Sequence, residues 1–384
     1  MIPYGRQQIT AEDIDAVVSV LQSDFLTQGP AVPKFEQALS ALTQAKWGVA
    51  VNSGTSALHL ACLALGLGKG DWLWTTPISF VASANCGLYC GAQVDFVDID
   101  PESWNLSASA LEQKLIAARA QNRLPKIVVA VHLCGLPCEM EKINQLSLEY
   151  GFSLIEDACH ALGGRYQGEP IGSGRYSDIT VFSFHPVKTI TTGEGGMAVT
   201  NDEGLAEKMR LLRSHGITRD PAQMTHAPDG SWYYQQIELG FNYRISDLQA
   251  ALGFSQLQRL GRFVEQRHEI ADRYDQAFRD TPLQLPLRPA HTYSGLHLYV
   301  VRLAAGTASR SRDPLFEQLR AEGIGVNIHY IPIHTQPWYQ QQGFRAGDFP
   351  QAEKYYSEAI SLPIYPDLDE VAQQTVISVL KELL

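Results

Sequence analysis

"WGVAVNSGTSALHLACLALGL" spans residues 47–67, and its pattern changes character twice. A short apolar run gives way to small polar residues, and then Ala, Leu and Cys recur at helical spacing. That pattern predicts a strand, a tight turn at 52–55 and a helix. The same alternation continues downstream. "WLWTTPISF" (72–80) predicts a strand and loop, residues 81–90 a helix, and "AQVDFVDID" (92–100) a strand. "KIVVAVHLCG" (126–135) is a strand of the fully buried type, and "EMEKINQLSLEYG" (139–151) a helix after it. "FSLIEDA" (152–158), "DITVFSF" (178–184) and "GGMAVT" (195–200) add further strands. Upstream, residues 11–22 and 32–44 predict helices, the first with acids in its opening turn. Strands alternating with helices over about two hundred residues imply an α/β fold with a mostly parallel sheet covered on both faces.

After "GFNYRISDLQAALG" (240–253) the character changes. Residues 246–279 read as one long helix rich in Arg, Glu and Gln, ending before Pro282. Beyond it lie a strand in "HLYVVRL" (297–303), a helix at 313–322, a His- and Pro-rich loop, and helices at 350–361 and 368–383. For 384 residues this predicts a large domain over 1–245. The long connecting helix and a smaller α+β domain then occupy 246–384.

Composition excludes several classes. With 45% hydrophobic and 18% charged residues the chain is globular. A net charge of −11 argues against a nucleic-acid or anionic-membrane surface. The cysteines at 62, 86, 90, 134, 138 and 159 lack the spacing of zinc pairs, so they are expected to be buried or incidental thiols, with no metal. "MIPYGRQQIT" has no charged start followed by an apolar stretch, and no apolar run is long enough to span a bilayer. Reduced thiols without a targeting segment predict a cytoplasmic protein.

Reactive groups gather where the predicted strands end. In "NSGTSALHL" (52–60) a small-residue turn opens a helix, and its unpaired amides with Thr55 and Ser56 suit a phosphate. The stretch reads equally as an ordinary Ser/Thr cap, and it is neither a Walker loop nor a dinucleotide fingerprint. In "LIEDACHALGG" (154–164) Asp157 ends a strand at the edge where open α/β sheets bind ligands. A carboxylate there holds a protonated heterocyclic nitrogen or simply caps the next helix, with His160 nearby or packed. In "FSFHPVKTITTGEGGMAVTND" (182–202) Ser183 and Lys188 precede a glycine-dense loop. A lone lysine there is a solvated loop residue, whereas one held in a pocket forms a Schiff base. Cradle, acid and amine together match the needs of pyridoxal phosphate, and Phe80 is available to stack on its ring or to pack in the core.

The sequence resembles the sugar aminotransferases of the DegT/DnrJ/EryC1/StrS family, within the aspartate-aminotransferase-like fold type I of pyridoxal phosphate enzymes. The resemblance rests on "LTQGP" with "FE" after it, "SGTSALHLA", "EDACHALG", "FSFHPVKTITTGEGG", "FNYRISDLQAALG" and "IHYIPIHTQPWY", in order over nearly the whole chain. It implies a seven-stranded type of large-domain sheet and a Schiff-base role for Lys188. It implies Asp157 on the pyridine nitrogen, His160 near the phenolic oxygen, Phe80 on the ring, and Thr55, Ser56 and Ser183 on the phosphate. One branch of the family carries histidine in place of that lysine and dehydrates its substrate; this chain keeps lysine.

"IPYGRQQI", "TTPISFVASANC" and "NIHYIPIH" are most similar to the branch serving pseudaminic acid biosynthesis, which aminates C4 of a UDP-linked 4-keto sugar with L-glutamate as donor. By that resemblance Tyr4, Leu26, Thr27, Gln28, Gly29, Asn327, Ile328, His329 and Tyr330 touch substrate. The resemblance also implies a homodimer in which Asn242 reaches the partner's site. Alternatives remain: a different UDP- or dTDP-linked keto sugar, or a non-catalytic pyridoxal phosphate binder. Arg6, Arg213, Arg219 and Arg244 are candidates for a diphosphate, and His215 for the pocket wall.

Overall fold

A computed structural model describes residues 1–303 and 311–384. The central sheet comprises β1 (Trp47–Val51), β2 (Trp72–Thr75), β3 (Gln93–Phe96), β4 (Ile127–Val131), β5 (Ser153–Asp157), β6 (Ile179–Ser183) and β7 (Gly196–Thr200). Their order across the sheet is β1-β7-β6-β5-β4-β2-β3. Pairing is parallel from β3 through β6, and β7 runs antiparallel to both its neighbours. The sheet is therefore mostly parallel, as the apolar runs require.

Its strands bury both faces. Along β4, Ile127, Val129 and Val131 join one apolar layer while Val128 and Ala130 join the other. Helices α3 (Gly54–Ala64), α4 (Ala82–Tyr89) and α7 (Glu203–Arg213) supply the first layer through Ala57, Leu58, Ala84, Ala206 and Met209. Helices α2 (Ala31–Thr43), α5 (Ala108–Arg119) and α6 (Met140–Tyr150) supply the second through Phe35, Leu39, Leu111, Leu115 and Ile143. Helices α5 and α7 have no counterpart in the sequence reading. In α7 the buried Ala206, Met209 and Leu212 recur every third residue, and Asp202 caps it by accepting from the Leu205 amide at 2.9 Å.

The expected long helix over 246–279 is two helices, α8 (Asp247–Leu257) and α9 (Leu260–Phe278). The break falls at Arg259, which has φ −108° and ψ 3°. Helix α1 (Ala11–Leu21) causes the gathering there. Its buried Asp13 accepts hydrogen bonds from Ser255 Oγ, Gln256 Nε2 and Arg259 Nη2, each at 2.6 Å. Further on, α9 leaves the sheet's core. Phe263 and Val264 belong to the second sheet layer, whereas Ile270, Tyr274 and Phe278 belong to a third cluster. That cluster surrounds β8 (Tyr299–Leu303) and β9 (Ala359–Leu362), an antiparallel pair flanked by α10 (Arg312–Ala321) and α12 (Glu370–Leu383). The expected helix over 350–361 is corrected likewise: α11 (Pro350–Glu358) stops where Ala359 turns extended to pair with Arg302. The N-terminal residues run with these C-terminal elements, Ile2 bridging Ile324 and Tyr4 O accepting from Ile364 N at 3.0 Å.

Candidate active site

Register brings the strand ends to one rim. Gly196 lies opposite Val51 on one side and Ser183 on the other, and Asp157 lies opposite Val131 and Val181. The turns after β1, β5 and β6 therefore open on the same edge of the sheet. They line a cavity of about 800 Å³ with Tyr4, Phe80, His297, His329 and Tyr330. A side chain at Gly196 would put Cβ 2.5 Å from the Ser53 carbonyl, so only glycine lets β7 pass under the 52–55 turn.

That turn is a donor cradle. Ser53 caps α3 by accepting from the Ser56 amide at 3.1 Å. The Gly54 and Thr55 amides, first in the helix, have no intrahelical acceptor and point out along the positive end of the dipole. Thr55 lines the cavity, and so does Ser183, which accepts from the His185 amide at 3.4 Å while its own hydroxyl hydrogen meets no acceptor among the described residues. Ser56 is more committed, its hydroxyl donating to Asn52 Oδ1 at 2.7 Å.

Asp157 is 5% exposed. Its Oδ2 accepts from Ser83 Oγ at 2.7 Å and its Oδ1 from the Cys159 amide at 3.2 Å. Ser83 spends its hydrogen on Asp157, so Ser79, 2.6 Å away, donates to Ser83. Two serines of the α4 approach thus aim a carboxylate that still has lone pairs for a ring N–H. Lys188 is partly accessible through the cavity, but its amine is desolvated, which holds it below the ordinary lysine range against the opposing pull of Cys159 and Asp157. Phe80 is 59% exposed inside this concave wall, as an apolar face awaiting a planar ring would be.

Around the amine stand three imidazoles. Burial and the charge of Lys188 hold His160 and His297 well below the ordinary histidine range, and hold His329 down to about 3. They are neutral. His160 Nδ1 accepts from the Cys134 amide at 3.2 Å, and its Nε2 lies 3.0 Å from Tyr330 Oη. His329 Nδ1 lies 2.8 Å from Ser361 Oγ. His297 packs its ring 4.5 Å from that of His160, with a buried Nδ1 that has no partner among the described residues.

The structure gathers Tyr4, Thr55, Ser56, Phe80, Asp157, His160, Ser183, Lys188, His329 and Tyr330 around one cavity. Asn327 and Ile328 lead into it without lining it, Asn327 pairing with Ser361. Leu26, Thr27, Gln28 and Gly29 also lie off its wall, tied to the start of α8: Leu26 O accepts from the Asp247 amide at 3.0 Å and Gly29 N donates to Asp247 at 2.8 Å. Asn242 is exposed, and its carbonyl accepts from Asn52 Nδ2 at 3.5 Å. Arg213 is committed to Glu36 at 2.6 Å, and His215 lies outside the cavity. Sequence reasoning missed Ser83, Cys159 and His297. Cys159, expected to be incidental, lines the cavity beside Asp157, and burial pushes its thiol well above the usual range.

The donor set fits pyridoxal phosphate: free amides and hydroxyls for an anion, an aimed carboxylate for the ring nitrogen, and an enclosed amine for the aldehyde.

Comparison with known proteins gives the same answer. Residues 7–381 match the DegT/DnrJ/EryC1/StrS aminotransferase family. The spore coat polysaccharide biosynthesis protein SpsC of Bacillus subtilis is 39% identical over 100% of this chain and 97% of its own. UDP-4-amino-4,6-dideoxy-N-acetyl-beta-L-altrosamine transaminase of Campylobacter jejuni is 36% identical over 100% of this chain and 98% of its own. The structure of Helicobacter pylori PseC, an aminotransferase of pseudoaminic acid biosynthesis, superposes with a TM-score of 0.90 at 34% identity, covering 99% of this chain and 98% of that one.

Proposed function

The chain belongs to the DegT/DnrJ/EryC1/StrS aminotransferase family and is a pyridoxal phosphate-dependent sugar aminotransferase; we propose that it moves the amino group of L-glutamate to C4 of a UDP-linked 4-keto-6-deoxy-N-acetylhexosamine. The product on this reading is UDP-4-amino-4,6-dideoxy-N-acetyl-β-L-altrosamine, the compound in the name of the Campylobacter relative. The observation that carries the reading is the wall around Lys188. Besides that amine and the carboxylates Asp157 and Glu194, the wall offers hydroxyls, the amides Asn52 and Gln249, and the neutral imidazoles His160, His297 and His329, a set that suits a polyhydroxylated ring carrying a ketone.

The residues then have distinct tasks. Pyridoxal phosphate, when bound, supplies an electrophilic carbon and a ring that stores an electron pair. Thr55, Ser183 and the α3 amides hold its phosphate, and Phe80 covers its ring. Asp157 keeps a proton on the ring nitrogen. Lys188, desolvated and therefore neutral at lower pH than an exposed lysine, takes the α-proton of glutamate and returns a proton to C4 of the sugar.

A homodimer completes the proposal. Lys188 is the sole lysine or arginine lining the cavity among the described residues, yet phosphate, diphosphate and donor carboxylates all carry negative charge. Further cations must come from beyond this wall. Just ahead of the exposed Asn242, Trp232 and Leu239 are 72% and 79% exposed, an apolar surface suited to a partner subunit.

A second reading keeps the chemistry and changes the sugar. It is favoured by SpsC, whose 39% identity is no lower than the 36% of the altrosamine transaminase. Incubation with glutamate and a panel of UDP- and dTDP-linked keto sugars, read by product mass, decides between them. Amination confined to the UDP 4-keto-N-acetylhexosamine supports the first reading; preference for another sugar supports the second.

A further inference from the structure

Hydrogen-bond polarity around His160 can be assigned without ambiguity. The Cys134 amide is an obligatory donor, so His160 Nδ1, 3.2 Å away, offers it a lone pair and carries no proton. The ring's one hydrogen is then on Nε2, which donates to Tyr330 Oη at 3.0 Å. Tyr330 accepts that bond, and its own hydroxyl hydrogen meets no acceptor among the described residues. Tyr330 lines the cavity that holds Lys188. Desolvation, with the nearby Cys134 and Asp157, raises the phenol well above its ordinary range, so it stays protonated.

We propose that Tyr330 is a hydrogen-bond donor to the ketone oxygen of the acceptor sugar, held in that role by His160. The inference rests on the keto-sugar reading and gives that reading a residue that recognises the carbonyl. A phenol that already accepts from an imidazole is polarised toward donation, and it is neutral, so it binds a ketone without the desolvation cost of a charge. His160 is the positioning residue: it fixes which way the phenol hydrogen turns. Both of its nitrogens are occupied by protein groups in this arrangement.

The test uses full-length Lys188→Ala protein holding pyridoxal phosphate non-covalently, in which no amine is available to the ketone. Two probes are titrated: the UDP-linked 4-keto-6-deoxy-N-acetylhexosamine and its analogue without the C4 oxygen. With Tyr330 present the ketone should bind about tenfold tighter, the worth of one well-placed hydrogen bond. Adding Tyr330→Phe should remove that preference and leave the affinity of the deoxy analogue within about twofold of its starting value, since one oxygen is all that the ring loses. Adding His160→Phe instead should remove most of the preference, because the phenol hydrogen is no longer turned. An unchanged preference in Tyr330→Phe overturns the proposal while the keto-sugar reading stands. A full preference in His160→Phe overturns the positioning role. Failure of both probes to bind any of the proteins overturns the keto-sugar reading and this inference with it.

Discussion

In the proposed reaction Lys188 and Asp157 are the residues on which the chemistry turns. Lys188→Arg should abolish turnover while leaving the far-ultraviolet circular dichroism unchanged, because arginine keeps the charge but stays protonated. Comparable turnover in that variant contradicts the assignment. Asp157→Asn should still take up cofactor through the α3 cradle yet lose about a hundredfold or more in kcat, since an amide does not hold a proton on the ring nitrogen. Wild-type kinetics there exclude the role. The imidazoles predict a pH effect with a definite sign. His329 titrates near 6.5 when unfolded and at about 3 when folded, so between those values the unfolded chain binds more protons. Stability of the cofactor-free protein should fall as pH drops below about 6.5, by about 1.4 kcal/mol per pH unit for each such group. His329→Asn should flatten the slope of urea stability against pH between about 7 and 5; an identical slope contradicts it. The candidate pair was legible because each member sits where an apolar strand ends, a position that sequence marks well. Ser83, Cys159 and His297 were not: their roles depend on a hydrogen bond to Asp157, the backbone turn after β5 and a ring contact with His160, none of which leaves a pattern in the chain.

Among the elements, the junction of α1, α8 and α9 has the clearest energetic consequence. Asp13 is 1% exposed and gathers Ser255, Gln256 and Arg259. Desolvation pushes its carboxyl up, but hydrogen bonds from Ser255, Thr10, Arg259 and Gln256 outweigh that and hold it below the ordinary range. Asp13→Ala should cost about 3 kcal/mol, because it leaves a guanidinium without its partner in a largely enclosed site. The urea midpoint measures it, and a loss under about 1 kcal/mol contradicts the account. This contact also explains why sequence periodicity mistook α8 and α9 for one helix. The residues on either side are good helix formers, and the interruption comes from Asp13, more than two hundred positions away. Ala359–Leu362 misled for a related reason. Four apolar residues after a helix continue it equally well on local grounds, and only pairing with Tyr299–Arg302 makes them a strand. By contrast β4 was legible because it is apolar throughout, as a strand covered on both faces requires, and β5 and β6 because Leu154–Ile155 and Val181–Phe182 keep enough of that apolar run.

At the scale of the whole molecule, a dimer with shared sites is open to direct test. Two-fold dimers are the commonest oligomers, and their symmetry makes any shared site occur twice. Lys188→Ala and Asn242→Ala chains should each be inactive, and mixing them with subunit exchange should restore part of the activity. The heterodimer holds one site with both lesions and one with neither. Confirmed exchange without recovery contradicts the sharing. The order of strands could be anticipated only as mostly parallel, since the place of β7 between β1 and β6 depends on pairings far apart in the chain. For the proposed dimer, the sequence offered the motif at 240–253 alone. On the proposed reading this fold carries an amino group from glutamate to a nucleotide-linked keto sugar through Lys188. That transfer is tested most directly by supplying glutamate with an isotopically labelled nitrogen and the UDP-linked 4-keto-6-deoxy-N-acetylhexosamine to wild-type and Lys188→Arg protein. Labelled 4-amino sugar nucleotide should form with the wild type and not with the variant; labelled product from both, or from neither, rules the transfer through Lys188 out.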